Sequence, residues 1–338
     1  MTDKIHVFLS NILWAFKCVF FRNKEIFKAA KPYLVVGSFR NSRYCDYIYE
    51  TSQKNRFENV TFASTAYQSF FAKILIMLVT RFIKYKNFEE GSFKGKEIII
   101  SSSHQEYKIF NVEQTKVLTL FSDREKLSRV IANKKHFENS FNVAKTLEVD
   151  YKASYCIEEF VKHESFDKET AFQVLANQYA GYVRKVSCCK DYEIEDRCRF
   201  FSKRFGQSDL LCRIRDFPMV FTHGDLWKSN VIYDGFHYYI TDFEAAKPRF
   251  VLYDLFCFMF TEYIIYNDIT MIQRYFWGKY DEIFSQILRS VNVRFDDRER
   301  GVYLLAYLVA VLNERWRKFF KLDYKITDII KKYIPNYR

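Results

Sequence analysis

Apolar residues recur along this chain with two different periods, and the change of period divides it. From Ile5 to Phe21 large apolar side chains are nearly continuous, and the run passes into the basic stretch Arg22–Lys31. Pro32 follows, and its missing N–H and fixed φ end a helix. Tyr33–Val36 reads as a short buried strand closed by Gly37. Ser69–Lys86 predicts a second helix, with Phe70, Ile74, Met77, Leu78 and Phe82 on one face and Lys73, Thr80, Arg81, Lys84 and Lys86 mostly elsewhere. Phe88–Gly95, with two glycines among charges, predicts a linker. Strand patterns then take over at Glu97–Ile100, Tyr107–Val112 and Lys116–Phe121, with turns at Ser101–His104 and Glu113–Thr115. Ser122 or Asp123 caps a helix running to about Phe137, and Tyr155–Val161 predicts an edge strand leaving this small sheet.

From Asp167 onward a 3.6-residue period holds, first through Ala171, Val174, Leu175, Gln178, Tyr179, Tyr182 and Val183. Further helices are predicted over about Ile194–Arg215, Tyr253–Tyr266, Met271–Ser290 and Asp297–Phe320. Two short β segments, Val220–Thr222 and Tyr238–Thr241, interrupt them. Strands with one helix, then a helical block holding two short strands, predict an α+β fold with two lobes. The expected organisation is a basic, amphipathic N-terminal extension over 1–92, a small sheet lobe over 93–160 and a larger, mostly helical lobe over 161–338.

Composition narrows the function. With 9 Gly and 4 Pro in 338 residues, collagen-like and low-complexity chains are excluded and a glycine-rich dinucleotide fold is disfavoured. A formal charge of +12 suits a polyanionic partner such as a phosphorylated ligand or an anionic membrane. The basic amphipathic stretches fit either such a membrane surface or packing as core helices. None of the 8 cysteines forms a CxxC pair, so they read as reduced thiols of a cytoplasmic protein. The run Ile5–Phe21 lacks the flanks of a secretory signal, and with Lys17 inside it is short for a membrane span. A peripheral hold on the inner face of the membrane is what the basic helices would add.

Two segments carry the chemistry. The first is Phe221-Thr-His223-Gly-Asp225-Leu-Trp-Lys-Ser-Asn230-Val-Ile232, and the second is Tyr239-Ile-Thr-Asp242-Phe-Glu244. Asp234-Gly235 between them marks a hairpin tip, which returns Asp242 beside Asn230. Asp225, Asn230, Asp242 and Glu244 then gather at one end of a small sheet. Phosphoryl transfer needs a base to align a hydroxyl and oxygen ligands to hold Mg²⁺ on nucleotide phosphates. An Asp, an Asn five residues on, and an Asp after the next β run meet that need.

These segments resemble the kinase-like small-molecule phosphotransferases: aminoglycoside phosphotransferases, choline and ethanolamine kinases, and fructosamine kinases. His223-Gly-Asp-Leu-Trp227 is similar to the aminoglycoside phosphotransferase and fructosamine kinase loop, Asp242-Phe-Glu244 to the choline kinase version, and Tyr253-Asp254-Leu255 to the helix start that follows. The resemblance implies a two-lobed protein-kinase-like fold, ATP or GTP as phosphoryl donor, and Mg²⁺. It implies Asp225 as catalytic base and Asn230 and Asp242 as Mg²⁺ ligands. Glu244 would add a metal or water contact, while His223 and Asp254 would support the loop. Ser101, Ser102 and Ser103 would cover the nucleotide phosphates, and Glu158 and Phe160 would contribute to the nucleotide site. Residues 1–90 match nothing in that family.

Two departures stand out. Thr119 occupies the place where the family keeps a strand lysine, and Lys116, three residues earlier, faces the other way. Ala132-Asn133 sit where its partner Glu is expected. The expected activity is phosphorylation of a hydroxyl of a small molecule, sugar or glycan, in the setting of cell-surface polysaccharide synthesis. The alternatives are an amino-alcohol kinase of the choline or ethanolamine type, and a catalytically weak pseudokinase serving as a membrane-associated binding protein. Nucleic acid is not the expected partner, because nucleic-acid binding would leave Asp225, Asn230 and Asp242 unexplained.

Overall fold

The computed structural model describes residues 23–34, 37–41, 47–50, 84–100, 106–111, 113–188, 198–199, 203, 217–312 and 322–333. The chain forms two compact units, one of residues 1–128 and 144–161, the other of 129–143 and 162–338. The expected helix over Ile5–Phe21 and nearly all of those over Ile194–Arg215 and Ser69–Lys86 lie outside the described residues, as do Ser101, Ser102 and Ser103.

In the first unit, helix α1 (Asn23–Ala30) stops just short of Pro32, as expected. The strands are β1 (Gly37–Asn41), β2 (Tyr47–Glu50), β3 (Lys84–Asn87), β4 (Glu97–Ile100), β5 (Glu106–Asn111), β6 (Lys116–Phe121), β7 (Thr146–Asp150) and β8 (Tyr155–Glu159). Among the described residues they form one antiparallel sheet in the order β3-β1-β2-β4-β5-β6-β8-β7. Alternation sends Ile109, Leu118 and Leu120 to one face, where they pack with Ile98, Phe93, and Phe27 and Ala30 of α1. Helix α2 (Arg124–Lys135) follows β6, and Asp123 caps it by accepting the Lys126 N–H at 2.7 Å.

Four expectations change here. Strands β1–β3 fall within the stretch that the pattern set apart as an extension, and β2 pairs with β4 through Tyr47↔Ile99. The end of the expected Ser69–Lys86 helix is strand β3. Tyr33 ends a short 3-10 turn, Lys31–Tyr33, rather than opening a strand. Tyr155–Glu159 is an interior strand, because Thr146-Leu-Glu-Val-Asp150, too polar and exposed to show a buried pattern, pairs outside it.

The expected linker is a packed turn. The Gly91 N–H donates to Leu34 O at 2.6 Å and the Gly95 N–H to Tyr33 O at 2.8 Å, while Phe93 is buried and its carbonyl accepts from Asn111 Nδ2 at 2.7 Å. The glycines serve close approach, not flexibility.

The second unit is built on helix α4 (Tyr253–Tyr266), in which every residue from Tyr253 to Ile264 is buried. A helix covered all round loses its amphipathic stripe. Around it lie α3 (Lys168–Val183), α5 (Thr270–Phe276), α6 (Asp281–Arg289), α7 (Arg300–Leu312) and α8 (Leu322–Tyr333). Asp167 caps α3 by accepting the Thr170 N–H at 2.8 Å. The single helix expected over Met271–Ser290 is split into α5 and α6 at Gly278, whose φ is +84°. Glu169 of α3 holds the break in place, accepting from Arg274, Lys279 and Tyr280 at 2.6, 2.9 and 2.8 Å. Two small ribbons complete the unit: β10 (Val231–Tyr233) with β11 (Tyr238–Ile240), and β9 (Met219–Thr222) with β12 (Lys247–Phe250). The pattern missed β12 because Pro248 lies within it; a proline is tolerated in so short a ribbon.

A Cβ on Gly91 would lie 2.5–2.6 Å from backbone atoms of Tyr33 and Leu34, which have no side-chain freedom with which to yield. Gly91→Ala is therefore expected to lower stability by about 1–3 kcal/mol, as overpacking does. Urea unfolding checks this, and an unchanged midpoint would restore a loose linker.

Candidate active site

The site is built in the second unit, where β9 delivers His223 into a loop that α4 anchors from below. Asp254, in the first turn of α4, has no solvent exposure. Its Oδ2 accepts the His223 backbone N–H and its Oδ1 the Gly224 N–H, both at 2.7 Å. Burial raises its pKa; the neighbouring His223, the two amide bonds and Arg249 oppose that rise. The loop can turn here because residue 224 is glycine. Its φ is +82°, and a Cβ there would overlap the guanidinium of Arg249 and sit 2.5 Å from Ala245 O.

His223 is buried and bridges the two sequence segments. Its Nε2 lies 3.0 Å from the carbonyl oxygen of Thr241, and its Nδ1 accepts the Asp225 N–H at 3.4 Å. With a carbonyl on one side and an N–H on the other, the proton sits on Nε2 and the ring is neutral. Burial lowers its pKa, against opposing effects of Asp254 and of the Thr241 bond. The ring thus ties the loop to the second segment through both of its nitrogens.

Five residues beyond Asp225, Asn230 turns back on it. Its Nδ2 donates to the Asp225 carbonyl oxygen at 2.7 Å and to Asp225 Oδ2 at 2.9 Å. That assignment leaves the Oδ1 end of the amide as the oxygen available to a cation. The β10–β11 register pairs Val231 with Ile240, and the Thr241 N–H donates to Asn230 O at 3.0 Å, so the hairpin does return Asp242 beside Asn230. Asp242 takes the left-handed conformation, φ 68° and ψ 73°, which a short polar side chain tolerates. It opens the 3-10 turn Phe243–Ala245, which carries Glu244. Phe243 packs its ring on His223 and Phe137, at 5.2 and 5.7 Å between centroids.

Two residues that sequence reasoning did not assign to the site complete it. Arg249 of β12 is buried, donates from Nη1 to Thr222 Oγ1 at 3.2 Å, and lies over the Tyr253 ring at 4.7 Å. It was missed because β12 was missed. Asn133, noted only for occupying the place of an expected Glu, donates from Nδ2 to the Phe243 carbonyl at 2.9 Å and so fixes the turn after Asp242. Glu158 and Phe160 belong to the first unit. Glu158 pairs with Val117 across β8 and β6, and Phe160 donates its N–H to Thr115 O at 2.8 Å and meets Phe110 edge-on at 6.0 Å.

Asp225, Asn230, Asp242 and Glu244 offer only hard oxygen donors, the set that suits Mg²⁺ and not a soft transition metal. Among the described residues no three acidic, histidine or cysteine side chains converge as a preformed metal cage. A Mg²⁺ that keeps waters and nucleotide phosphates as its other ligands needs none, so the donor set fits that use.

The sequence matches no protein-family model and no curated protein. Among solved structures the chain is similar in shape to an amicoumacin kinase in complex with AMP-PNP and Ca²⁺, at 12% identity and TM-score 0.44, over 71% of this chain and 88% of that one. It is also similar to an aminoglycoside phosphotransferase from Streptomyces rimosus, at 13% identity and TM-score 0.39, over 62% and 90%. Choline kinase from Streptococcus pneumoniae matches at 10% identity and TM-score 0.41, over 70% and 86%. All lie below 15% identity and below a TM-score of 0.5, so the residues of the site, and not these likenesses, carry the chemistry.

Two outcomes follow from the buried pair. The fold favours neutral His223 while the unfolded chain titrates it near 6.5, so its contribution is complete above about pH 6.5 and is lost as pH falls below that value. Urea midpoints between pH 8 and 5.5 should fall on the acid side, and His223→Gln should flatten that limb. Asp254→Asn turns an amide N–H₂ toward one of the two backbone donors and is expected to cost about 1–3 kcal/mol for the donor left unsatisfied. A thermal midpoint within a degree of wild type would remove Asp254 as the anchor.

Proposed function

We propose that the chain is a Mg²⁺-dependent phosphotransferase that moves the γ-phosphoryl group of ATP or GTP to an alcohol hydroxyl. The observation that carries this is the Asp225–Asn230 hydrogen-bonded pair in one anchored loop, with Asp242 set beside it by the β10–β11 register. The Asp225 carboxylate accepts the hydrogen bond of the incoming hydroxyl and aims its oxygen at the phosphorus. The transition state is loose, so alignment counts for more than base strength. Asn230 Oδ1 and the Asp242 carboxylate hold Mg²⁺, with Glu244 adding a metal or water contact. The metal supplies charge neutralisation on the phosphates. His223, neutral and fixed at both nitrogens, moves no proton. Ser101–Ser103, Glu158 and Phe160 are assigned to the nucleotide.

The acceptor we favour is a sugar, glycan or lipid-linked alcohol, handled in the cytoplasm and at the inner face of the membrane during cell-surface polysaccharide synthesis. A net charge of +12 disfavours a polycationic acceptor. A quaternary-amine pocket would need aromatic side chains, yet Tyr263, Tyr280, Tyr303 and Tyr307 are core residues, while Tyr266 and Trp277 are exposed. A hydroxyl-rich acceptor is better served. Tyr266 is exposed, and one turn before it Glu262 is 3% exposed with no hydrogen-bond partner for Oε1. No described helix is long and apolar enough to cross a membrane.

Asp225→Asn should reduce turnover about 10²–10⁴-fold, the usual worth of general-base assistance, with nucleotide affinity nearly intact. Asp242→Asn should lose turnover and also the Mg²⁺-dependent part of the thermal shift that ATP or GTP produces. Near wild-type turnover of Asp225→Asn on an accepted alcohol would remove the catalytic assignment. Absence of a shift with any nucleotide at millimolar concentration would remove the phosphotransferase.

A further inference from the structure

The aromatic side chains of the second unit are mostly buried, but Trp277 is 76% exposed. Its place is set by the break between α5 and α6. The Trp277 N–H donates to Gln273 O at 3.0 Å and caps α5, and Gly278, at φ +84°, turns the chain away before Lys279. The corner is tied twice more, by Gly278 N–H to Tyr275 O and Lys279 N–H to Arg274 O, both at 3.0 Å. A large apolar ring is therefore presented to solvent by a backbone whose hydrogen bonds are made.

A single exposed apolar side chain is ordinary, so its neighbours decide what it means. Phe276, the residue before it, stacks on Tyr333 of α8 with ring centroids 4.5 Å apart and planes 11° from parallel. That contact brings the last turn of α8 to the corner. Lys331 and Lys332 are exposed on that turn, and Lys332 Nζ lies 5.3 Å from the Tyr333 ring centroid. Among the described residues neither lysine has an ion-pair partner. Arg274 and Lys279, before and after Trp277, share the one carboxylate of Glu169 at 2.6 and 2.9 Å, which leaves a positive charge in excess. In the first turn of α6, Asp281 is taken up by Arg300 and the exposed Glu282 offsets part of that excess. The corner therefore joins an exposed indole, two partly buried rings and a cationic surplus. Phe236 at the β10–β11 tip is 85% exposed, but Asp234 Oδ1 accepts its N–H at 2.8 Å and Glu164 flanks Gly235, so that ring stands among carboxylates.

We propose that this corner docks on an anionic bilayer, with Trp277 entering the headgroup region and Lys279, Lys331 and Lys332 meeting lipid phosphates. An indole suits that depth, because its body is apolar and its N–H can stay with the headgroups. Lysine stems lie along apolar surface while their ammonium groups reach the phosphates. The attraction is that of a basic cluster for a negatively charged leaflet. The proposal rests on the membrane setting of the reading above and not on its phosphoryl chemistry.

The test is flotation of the full chain with phosphatidylcholine vesicles, with and without about one-third phosphatidylglycerol. Binding is expected on the anionic vesicles and should weaken as salt rises. Trp277→Ala should weaken it about 5–30-fold, for the lost burial of an aromatic ring. Lys331→Gln with Lys332→Gln should weaken it about 10–30-fold, at roughly fivefold for each lysine near an anionic surface. Phe236→Ala should leave it unchanged. Lipids with brominated acyl chains should quench the fluorescence of the bound chain, and Trp277→Phe should remove that quenching while keeping part of the binding. Four results overturn the proposal: undiminished binding when Trp277, Lys331 and Lys332 are all replaced, quenching that survives Trp277→Phe, equal binding to neutral vesicles, or loss on Phe236→Ala alone. A wild-type dimer that Trp277→Ala separates, with no vesicle binding, gives the corner to a second copy and overturns it as well. A wild-type chain that floats with neither vesicle removes the membrane setting too. In each case the thermal shift with Mg²⁺ and nucleotide decides the phosphotransferase separately.

Discussion

The site depends on one buried carboxylate. Asp254 gives both of its oxygens to consecutive backbone N–H groups, those of His223 and Gly224, inside a helix that is covered on every side. A carboxylate so placed forfeits its hydration, and two short amide bonds, the first turn of α4 and the nearby Arg249 guanidinium compensate it. Once the His223 backbone is fixed, its ring must reach Thr241, and the same ring receives the Asp225 N–H. The loop that carries Asp225 and the hairpin end that carries Asp242 are thus tied through a single imidazole. Gly224 makes the geometry possible, since any side chain there would collide with the arginine that helps hold the charge.

Around that anchor the chain uses backbone register as its positioning device. Asp242 comes to Asn230 because Val231 pairs with Ile240, and Asn133 holds the Phe243 carbonyl in the turn after Asp242. In the first unit, strand pairing removes a liability: β4 would be an edge strand, but β2 covers its outer side, and β1 and β3 continue the sheet beyond it. An edge left open on Glu97-Ile-Ile-Ile100 would invite strand addition by another chain.

What the sequence disclosed follows physical lines. The gathering of Asp225, Asn230 and Asp242 was legible because they are polar residues at fixed spacing between β runs, a pattern that packing alone does not require. The Tyr253–Tyr266 helix was legible to the residue, since its apolar density admits no other element. The α+β order of strands and helices was legible from the change of period near residue 96. What stayed hidden depends on contacts distant in sequence. Gly91 and Gly95 resemble a flexible linker until Tyr33 and Leu34 are seen against them. Strand β7 has too little burial to show alternation, β12 contains a proline, and the break at Gly278 requires the charges that gather on Glu169. Arg249 was invisible for the same reason as its strand.

The donor set has a consequence for how the proposed ligands bind. In the proposed use, Asn230 would contribute one amide oxygen, Asp242 a carboxylate and Glu244 at most one further contact, short of the six ligands an octahedral Mg²⁺ requires. A cation held by so few protein groups stays largely hydrated and weakly bound until phosphate oxygens take further positions. Metal and nucleotide are then coupled by linkage, each raising the affinity of the other by the same factor. That coupling would pass through the hairpin, because Asp242 sits in a left-handed conformation between Thr241 and Phe243, whose carbonyls meet His223 and Asn133. Backbone strain of that kind persists where its surroundings over-determine it. Here the surroundings are the imidazole of His223 and the amide of Asn133, and both act on backbone carbonyls next to Asp242 without contributing a ligand.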